Sequence, residues 1–364
     1  MKRIYLLTGC VAFAIGGCTE ITSKDAISAQ SAYNNALVNN NNQELLLNIV
    51  RLRYGEYPTF VEVTSMNHNN NIKSGSSFGF NKTIMGGANG AYPGSMSLSL
   101  SPSYENLSGA SYGRLAGKEY VKKFMTPISF PVVTSLIQSG WSLEEVFNLC
   151  IERINDLYNA DTADGPVPEI APEYESFAYF AHLLDELHKQ PNHLVYFNQK
   201  PSTNFSKLYM QIKEKAGYRT KAQQVKQLAG LDTNKTLFEI KDNFLDQDSE
   251  SLVVQCRTLL GVLYFASKGV EVPQLDIDGH VAGGSKDRWG KPFDWKKVCT
   301  RFHVAWSVDC PKNAYVACEY RGTWFYIADD DIQSKNTFSL IMQLMFLQSS
   351  QYNSSNPLLV VTAN

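Results

Sequence analysis

The sequence predicts an α+β fold, a helical region with a protruding long β-hairpin and a C-terminal antiparallel meander packed on a buried helix. Three observations carry it. The apolar period is helical over residues 43–54 and changes to two over 59–104, helical patterns dominate 115–190, and three strand-like runs precede an apolar helix near the C-terminus. Helices and strands segregate along the chain and do not alternate, which points to α+β architecture and not to a parallel α/β sheet.

The elements follow in order. A tether, 19–24, leads to helices over 25–38 and 43–54 on either side of the polar run 39–42; in the second helix Leu45, Leu46, Ile49, Val50 and Leu52 recur at helical spacing, and Gly55 and Pro58 stop it. A strand begins at Phe60. Two segments then alternate: over 71–81 Ile72, Phe78 and Phe80 share a face, and over 94–104 Met96, Leu98 and Leu100 alternate with serines. The Gly- and Asn-rich stretch 82–93 joins them, giving a long hairpin with one apolar face and one small, polar face.

The helical region 115–190 is expected to break at Pro127, Pro131 and the loop 160–172. Its best helix starts at Ser142, where Ser142-Leu143-Glu144-Glu145 reads as a capping box and Trp141 staples onto Val146; Phe147, Cys150, Ile151, Ile154 and Tyr158 form its core face. Strand-like pieces lie at 194–197 and 237–240. Asp248 is expected to cap a helix to Lys268, with Leu252, Cys256, Leu259, Leu260 and Leu263 buried. Strands 302–308, 314–320 and 323–328 form the meander, turned by Pro311-Lys312-Asn313 and Arg321-Gly322. The helix 332–349 is apolar almost all round, and 358–362 closes the chain as a core strand. No internal repeat recurs at a fixed period. The expected organisation is thus 1–17 signal, 18–57 anchored tether and helices, 58–110 hairpin region, 111–247 mainly helical, and 248–364 a C-terminal α+β module.

The chain of 364 residues is 44% hydrophobic and 19% charged, a globular composition. A formal charge of −2, from 33 Lys+Arg against 35 Asp+Glu, gives no pull towards polyanions, so no nucleic-acid partner is expected.

Lys2 and Arg3 form a basic n-region, and Ile4 to Ile15 an apolar h-region too short to span a bilayer. It ends in Ile15-Gly16-Gly17-Cys18, which resembles the lipobox of bacterial lipoproteins: an aliphatic residue, two small residues, then cysteine. The resemblance implies cleavage before Cys18, diacylglycerol on its thiol and acylation of the new N-terminus. Acyl chains at about 0.8 kcal/mol per buried methylene make such attachment stable. In the proteobacterial sorting that the resemblance brings with it, Thr19 in place of Asp favours the outer membrane, with the body facing the periplasm. Beyond Cys10 and Cys18 the chain has Cys150, Cys256, Cys299, Cys310 and Cys318, an odd number; with 311–313 as a hairpin turn, Cys318 lies opposite Trp306 and too far from Cys310 for a disulfide. No Cys-x-x-Cys occurs, against a zinc ribbon or thioredoxin-type site.

Other motifs read as structural. Gly75-Ser76-Ser77-Phe78-Gly79 and Gly109-Ala110-Ser111-Tyr112-Gly113 match G-x-S-x-G, but the first lies inside an alternating strand and neither has the strand-to-helix context of a nucleophile elbow. Asp329, Asp330 and Asp331 suit a hard cation in principle, yet acids before a helix ordinarily cap it. Gln274-x-Asp276-x-Asp278-Gly279 echoes an EF-hand loop without its twelfth-position Glu, since Ser285 stands there. His182 and His188 fall on different helix faces. No cofactor, metal or catalytic constellation is expected.

Two candidate sites remain. The loop 283–298 interleaves Lys286, Arg288, Lys291, Lys296 and Lys297 with Trp289, Phe293 and Trp295, a mixture suited to stacking on sugars or meeting anionic headgroups; the alternative is that the aromatics pin the loop to its own domain. The hairpin, through Ile72, Phe78, Phe80, Met96, Leu98 and Leu100, has the form of a membrane-spanning β-hairpin, one per subunit in a closed ring, against the alternative of packing on its own domain. The expected function is a lipid-anchored envelope protein with a partner-binding or structural role, its partners being the membrane and an envelope protein or further copies of itself. The alternatives are a ring-forming pore or secretion-channel lipoprotein, and an envelope hydrolase acting on glycan or peptide.

Overall fold

The computed structural model describes residues 21–80, 96–114, 116–200 and 207–350. The signal segment, Cys18, the linker 82–93 and the expected closing strand 358–362 lie wholly or mainly outside them. The chain divides into two units, residues 59–116 and the remainder, and the fold is α+β.

In the larger unit the N-terminal helices are one: α1, Ile21–Arg53, runs through the asparagines at 39–42. Asn lowers helix propensity by only a fraction of a kcal/mol per residue, which is too little to interrupt a helix already propagating. Its last three turns bury Leu45, Leu46, Ile49, Val50 and Leu52, and Gly55 ends it at φ +76°.

Pro131 sits in the first turn of α2, Phe130–Gln138, where a missing N–H costs nothing, so it begins a helix where the sequence suggested a break. The helix expected from Ser142 stops early. α3 covers Leu143–Cys150, and Ile151–Ile154 and Leu157–Tyr158 are strands β3 and β4, turned by Asn155 and Asp156 with Asn155 at φ +47°. Asn-Asp tolerates that turn, and β-branched Ile151 and Ile154 suit a strand. The capping box is absent too: the N-terminus of α3 is capped by Asp185, whose Oδ1 accepts from Leu143 N at 3.1 Å and Glu144 N at 3.5 Å. Asp185 belongs to α4, Glu175–His188.

Strand β5, Val195–Lys200, and strand β7, Leu237–Lys241, contain the two predicted pieces. Strand β6, Lys207–Ile212, and helix α5, Arg219–Leu228, lay in sequence that carried no clear period. The helix expected from Asp248 is half strand: β8 is Ser251–Cys256, and α6, Leu259–Ser267, begins only after Thr258, whose Oγ1 accepts from Gly261 N at 2.9 Å. The run Leu252-Val253-Val254 has the unbroken apolar character of a doubly covered strand, which periodicity alone cannot separate from a buried helix. These strands make a six-stranded sheet of order β4-β3-β8-β7-β6-β5, antiparallel except for β7 with β8. Helix α4 contacts both edge strands, and α3 and α5 pack beside it. Between them lies the core of Phe177, Phe180, Leu184, Met210, Phe238 and Val253.

Gly269 follows α6 because Phe302 O would lie 2.3 Å from any Cβ there. A short helix α7, Gln274–Asp278, precedes strands β9 (Ala305–Ser307), β10 (Ala314–Tyr320) and β11 (Thr323–Ala328). Their order is β10-β11-β9, so β9 pairs with β11 and not with its sequence neighbour; Cys318 lies opposite Phe325, not Trp306. The loop 308–313 therefore crosses the sheet end, while Arg321 and Gly322, at φ +52° and +75°, make the tight turn expected. Helix α8, Ile332–Ser350, buries Phe338, Leu340, Ile341 and Leu344, but Phe346 is 71% exposed, so one face is covered and not the whole circumference.

The smaller unit is a two-stranded antiparallel ribbon of β1, Val61–Phe80, and β2, Met96–Arg114. Its strands are about twice as long as the alternating segments suggested. The register sets Ile72 opposite Tyr104, Phe78 opposite Leu98 and Phe80 opposite Met96.

One residue ties the large sheet to its helices. Arg257, fully buried at the β8–α6 junction, pairs with Asp164 through Nε and donates through NH1 to the carbonyls of Asn148 at 3.0 Å and Ile151 at 2.7 Å, and through NH2 to that of Asn159. Its guanidinium lies 4.1 Å from the centre of the Phe265 ring. Arg257→Met is expected to lower unfolding stability by about 3–5 kcal/mol, because one change leaves the half-buried Asp164 carboxylate without its cation, removes the side-chain donor to Asn159 O, and leaves Asn148 O and Ile151 O with Asn159 Nδ2 alone. Urea unfolding checks this; a loss under 1 kcal/mol would show that the network is not holding the sheet to α3.

Candidate functional site

The aromatic, basic loop resolves into an anchored base and an exposed tip. Trp295 is buried and its Nε1 donates to Ser285 Oγ at 3.2 Å; Phe293 meets Trp295 edge-on at 5.3 Å and Tyr174 at 6.3 Å. Lys286 N donates to Glu169 O and Ala171 N to Lys286 O, both at 2.8 Å, stitching the loop to 169–171. The carboxylate of Asp287 accepts from Trp289 N and Lys291 N, and Gly290 turns the chain at φ +82°. Trp289 stands 69% exposed at this tip with the Arg288 guanidinium 4.1 Å from its ring centre. Of the residues singled out in this loop, Phe293 and Trp295 thus pin it, while Arg288 and Trp289 offer a cation–aromatic pair to solvent; Lys286 is exposed beside the stitched bridge.

The hairpin residues lie along the ribbon at the register positions given above. The acidic cluster acts on its own helix: Asp331 accepts from Ser334 N at 3.0 Å and Ser334 Oγ at 2.6 Å, and Asp329 pairs with Lys335 at 2.7 Å. The EF-hand-like stretch is helix α7 and not a loop; Asp276 accepts from Tyr54 OH at 2.6 Å. Among the described residues no group of three or more His, Cys, Asp and Glu side chains is placed to hold a metal ion. His182 Nδ1 lies 3.4 Å from Glu144, and His188 Nδ1 lies 3.1 Å from Val195 O. Cys150, Cys256, Cys299, Cys310 and Cys318 are all free thiols.

A small pocket of about 30 Å³ lies where α3, α6, α8 and the segment 298–302 meet. Leu149, Phe265, Ala266 and Phe302 make it largely apolar, and Glu145, Arg301 and Thr337 bring polar groups to it. Thr337 Oγ1 lies 3.0 Å from both Glu145 Oε1 and Arg301 O. Burial raises the Glu145 carboxyl above its ordinary range, partly offset by the Thr337 hydrogen bond and by Arg301. Burial pushes the Cys299 thiol up to about 12, and its Sγ donates to Phe265 O at 3.3 Å. The arrangement sets one hydrogen-bonded carboxyl, Glu145 with Thr337, against an apolar wall.

A buried basic cluster adjoins, and sequence reasoning missed it. Lys268, 2% exposed, donates to Gly165 O at 2.6 Å. Burial and the nearby Arg53 guanidinium lower it to about 7. Arg53 NH1 donates to Gly283 O at 2.8 Å, while Arg53 Nε is buried without a hydrogen-bond partner among the described residues. The available signal was positional, since Arg53, Arg257 and Lys268 each stand beside apolar runs that had to be interior.

Comparison with protein families, with curated proteins and with solved structures finds no significant match to this chain.

Lys268 makes a pH-dependent prediction. Its folded pKa lies below the ordinary 10.5, so between about 7 and 10.5 the unfolded chain binds a proton that the folded one does not, and stability rises with pH. Lys268→Met removes this contribution. The stability difference, wild type minus variant, is therefore expected to be flat below pH 6 and to grow towards about 1.4 kcal/mol per pH unit above 7. Urea unfolding at pH 5.5, 7 and 8.5 checks it; a difference independent of pH would mean that the ammonium stays charged in the fold.

Proposed function

We propose that this chain is a lipid-anchored cell-envelope protein, held at the outer membrane through acylated Cys18, whose α+β body binds an envelope partner or supports an assembly on the periplasmic side. The observation that carries it is the N-terminal sequence: two basic residues, a short apolar run and Ile15-Gly16-Gly17-Cys18. An apolar core of this length ends in a processing site more naturally than in a membrane span. A binding role, in preference to turnover, is supported by what the body offers. The pocket has an apolar lining, and the Arg288–Trp289 tip is an exposed cation–aromatic pair on a braced loop. Among the described residues no helix is long and apolar enough to cross a membrane.

Cys18→Ser tests the anchor. Wild type is expected to incorporate a labelled fatty acid and to fractionate with outer membranes, and the variant to lose the label and move to the soluble periplasmic fraction. Label retained by the variant, or membrane association unchanged without it, would refute the assignment. With the anchor intact, Trp289→Ala is expected to weaken partner capture at least tenfold and leave the unfolding midpoint unchanged, because the side chain is exposed. Crosslinking followed by quantitative recovery measures this.

A further inference from the structure

We propose that the β1–β2 ribbon closes with the ribbons of further copies of this chain into a membrane-spanning barrel whose lumen carries one Lys73 per copy and passes anions in preference to cations. This rests on the envelope reading above and names the partner, a second copy, and the route.

From Ser65 opposite Ser111 to Phe80 opposite Met96, each step along one strand is matched by one step along the other, so even positions oppose even and odd oppose odd. Positions of one parity share a face of a sheet. In 72–80 and 96–104 the even set contains Ile72, Phe78, Phe80, Met96, Leu98 and Leu100, and the odd set is glycine and serine with one exception, Lys73. A slip of one residue would have put the two apolar sets on opposite faces. The observed pairing puts both apolar sets, together with Ser74, Ser76 and Pro102, on one parity of the ribbon and the glycines, serines and Lys73 on the other.

Length comes next. Nine residues per strand at about 3.4 Å, tilted by about 40°, cover roughly 23 Å, close to the apolar band of about 25 Å on membrane barrels. Ile72 and Tyr104 are paired at one end of this band, and Phe80 and Met96 at the other. Towards the base of the ribbon the pattern stops, with Asn67, His68 and Asn69 to Asn71 on one strand and Glu105 and Asn106 on the other. Only the distal half reads as lipid-facing.

Edges supply the partner. The ribbon is a sheet of two strands, and in lipid the outward backbone groups of both strands must be paired, which requires a closed barrel. Because β1 and β2 are antiparallel, setting β2 of one copy beside β1 of the next continues the alternation and closes on an even strand number. This is a head-to-tail ring. Four copies reach eight strands, the lower bound for such barrels. Pro102 leaves one gap in the ladder of each copy. With the apolar parity outward, Lys73 is the single charge of the spanning segment and falls on the lumen side, where a ring of cations selects anions.

The test uses full-length, lipidated protein extracted in mild detergent and added to phosphatidylcholine planar bilayers under a tenfold KCl gradient. Wild type is expected to give discrete conductance steps with a reversal potential on the chloride side. Lys73→Glu is expected to insert equally often and move the reversal potential to the potassium side, and Leu98→Asp with Leu100→Asp to abolish conductance. Acylated protein that sediments as a monomer and never conducts overturns the barrel while leaving the anchored reading intact. Channels whose selectivity ignores Lys73→Glu overturn the lumen assignment. Absence of acylation is read separately, from the fatty-acid label, and bears on the anchor alone.

Discussion

The larger unit depends on one buried guanidinium. Arg257 has no solvent exposure, yet its donors reach the Asp164 carboxylate and the carbonyls of Asn148, Ile151 and Asn159, contributed by the end of α3, strand β3 and the segment after β4. Asn159 reinforces two of these, its Nδ2 donating to Asn148 O at 2.9 Å and Ile151 O at 2.7 Å. These carbonyls are left over where a helix ends and a short strand begins, and the planar, permanently charged fork is the side chain able to serve several at once. A lysine there would be a single point charge with a different geometry. Burying the pair contributes little net stability. It does fix one arrangement of α3 against β8, since every alternative strands a charge.

The same interaction sets the electrostatics around it. Asp164 is committed to Arg257 and approaches α6 so closely that a Cβ on Gly261 would lie 3.1 Å from Oδ2. Lys268 and Arg53 sit nearby, each donating to a backbone carbonyl, and each is pushed towards its neutral form by burial. Asp164 thus lies among three cations, and burial with the nearby Arg53 lowers Lys268 while Asp164 partly offsets that. Phe265 connects this region to the pocket, for its ring takes the guanidinium while it also lines the apolar wall. The pocket therefore borders the most constrained part of the body.

What was legible in the sequence follows from which forces are local. The buried stripe of α1, the Arg321-Gly322 turn, the two strand pieces at 194–197 and 237–240 and the alternation of the ribbon are carried by residues a few positions apart. The α+β class followed from them. What could not be read depended on distant partners. Ile151 and Ile154 fit a helical stripe as well as a strand, and only pairing with β8 and the Asn155 turn decide between them. Leu252 to Val254 look alike in a buried helix and a covered strand. The capping box at Ser142 lost to a carboxylate 43 residues away, and β9 chose β11 over β10. At the site, the split of the aromatic loop into a pinned base and an exposed tip required knowing where Ser285 and Tyr174 lie. The buried cations were visible only as charges interrupting apolar runs.

The two units pose opposite thermodynamic problems, and the contrast bears on what the chain is for. The larger one buries helices on a sheet. A ribbon with strands of 20 and 19 residues fixes many backbone dihedrals, each costing about 1–2 kcal/mol in entropy, and two-stranded ribbons of any length are marginal in water. Extending the strands adds edge as fast as it adds pairing, so length gives no remedy while the edges stay open. Closure changes the balance, because every added copy pairs two edges and the last one leaves none. A lipid anchor of the kind implied at Cys18 lowers the remaining barrier: confining copies to one membrane raises their effective concentration, so that edge pairing too weak to assemble the free protein suffices at the surface. On the proposed reading the anchor and the ribbon would be two parts of one device, the first supplying the concentration that the second needs to close.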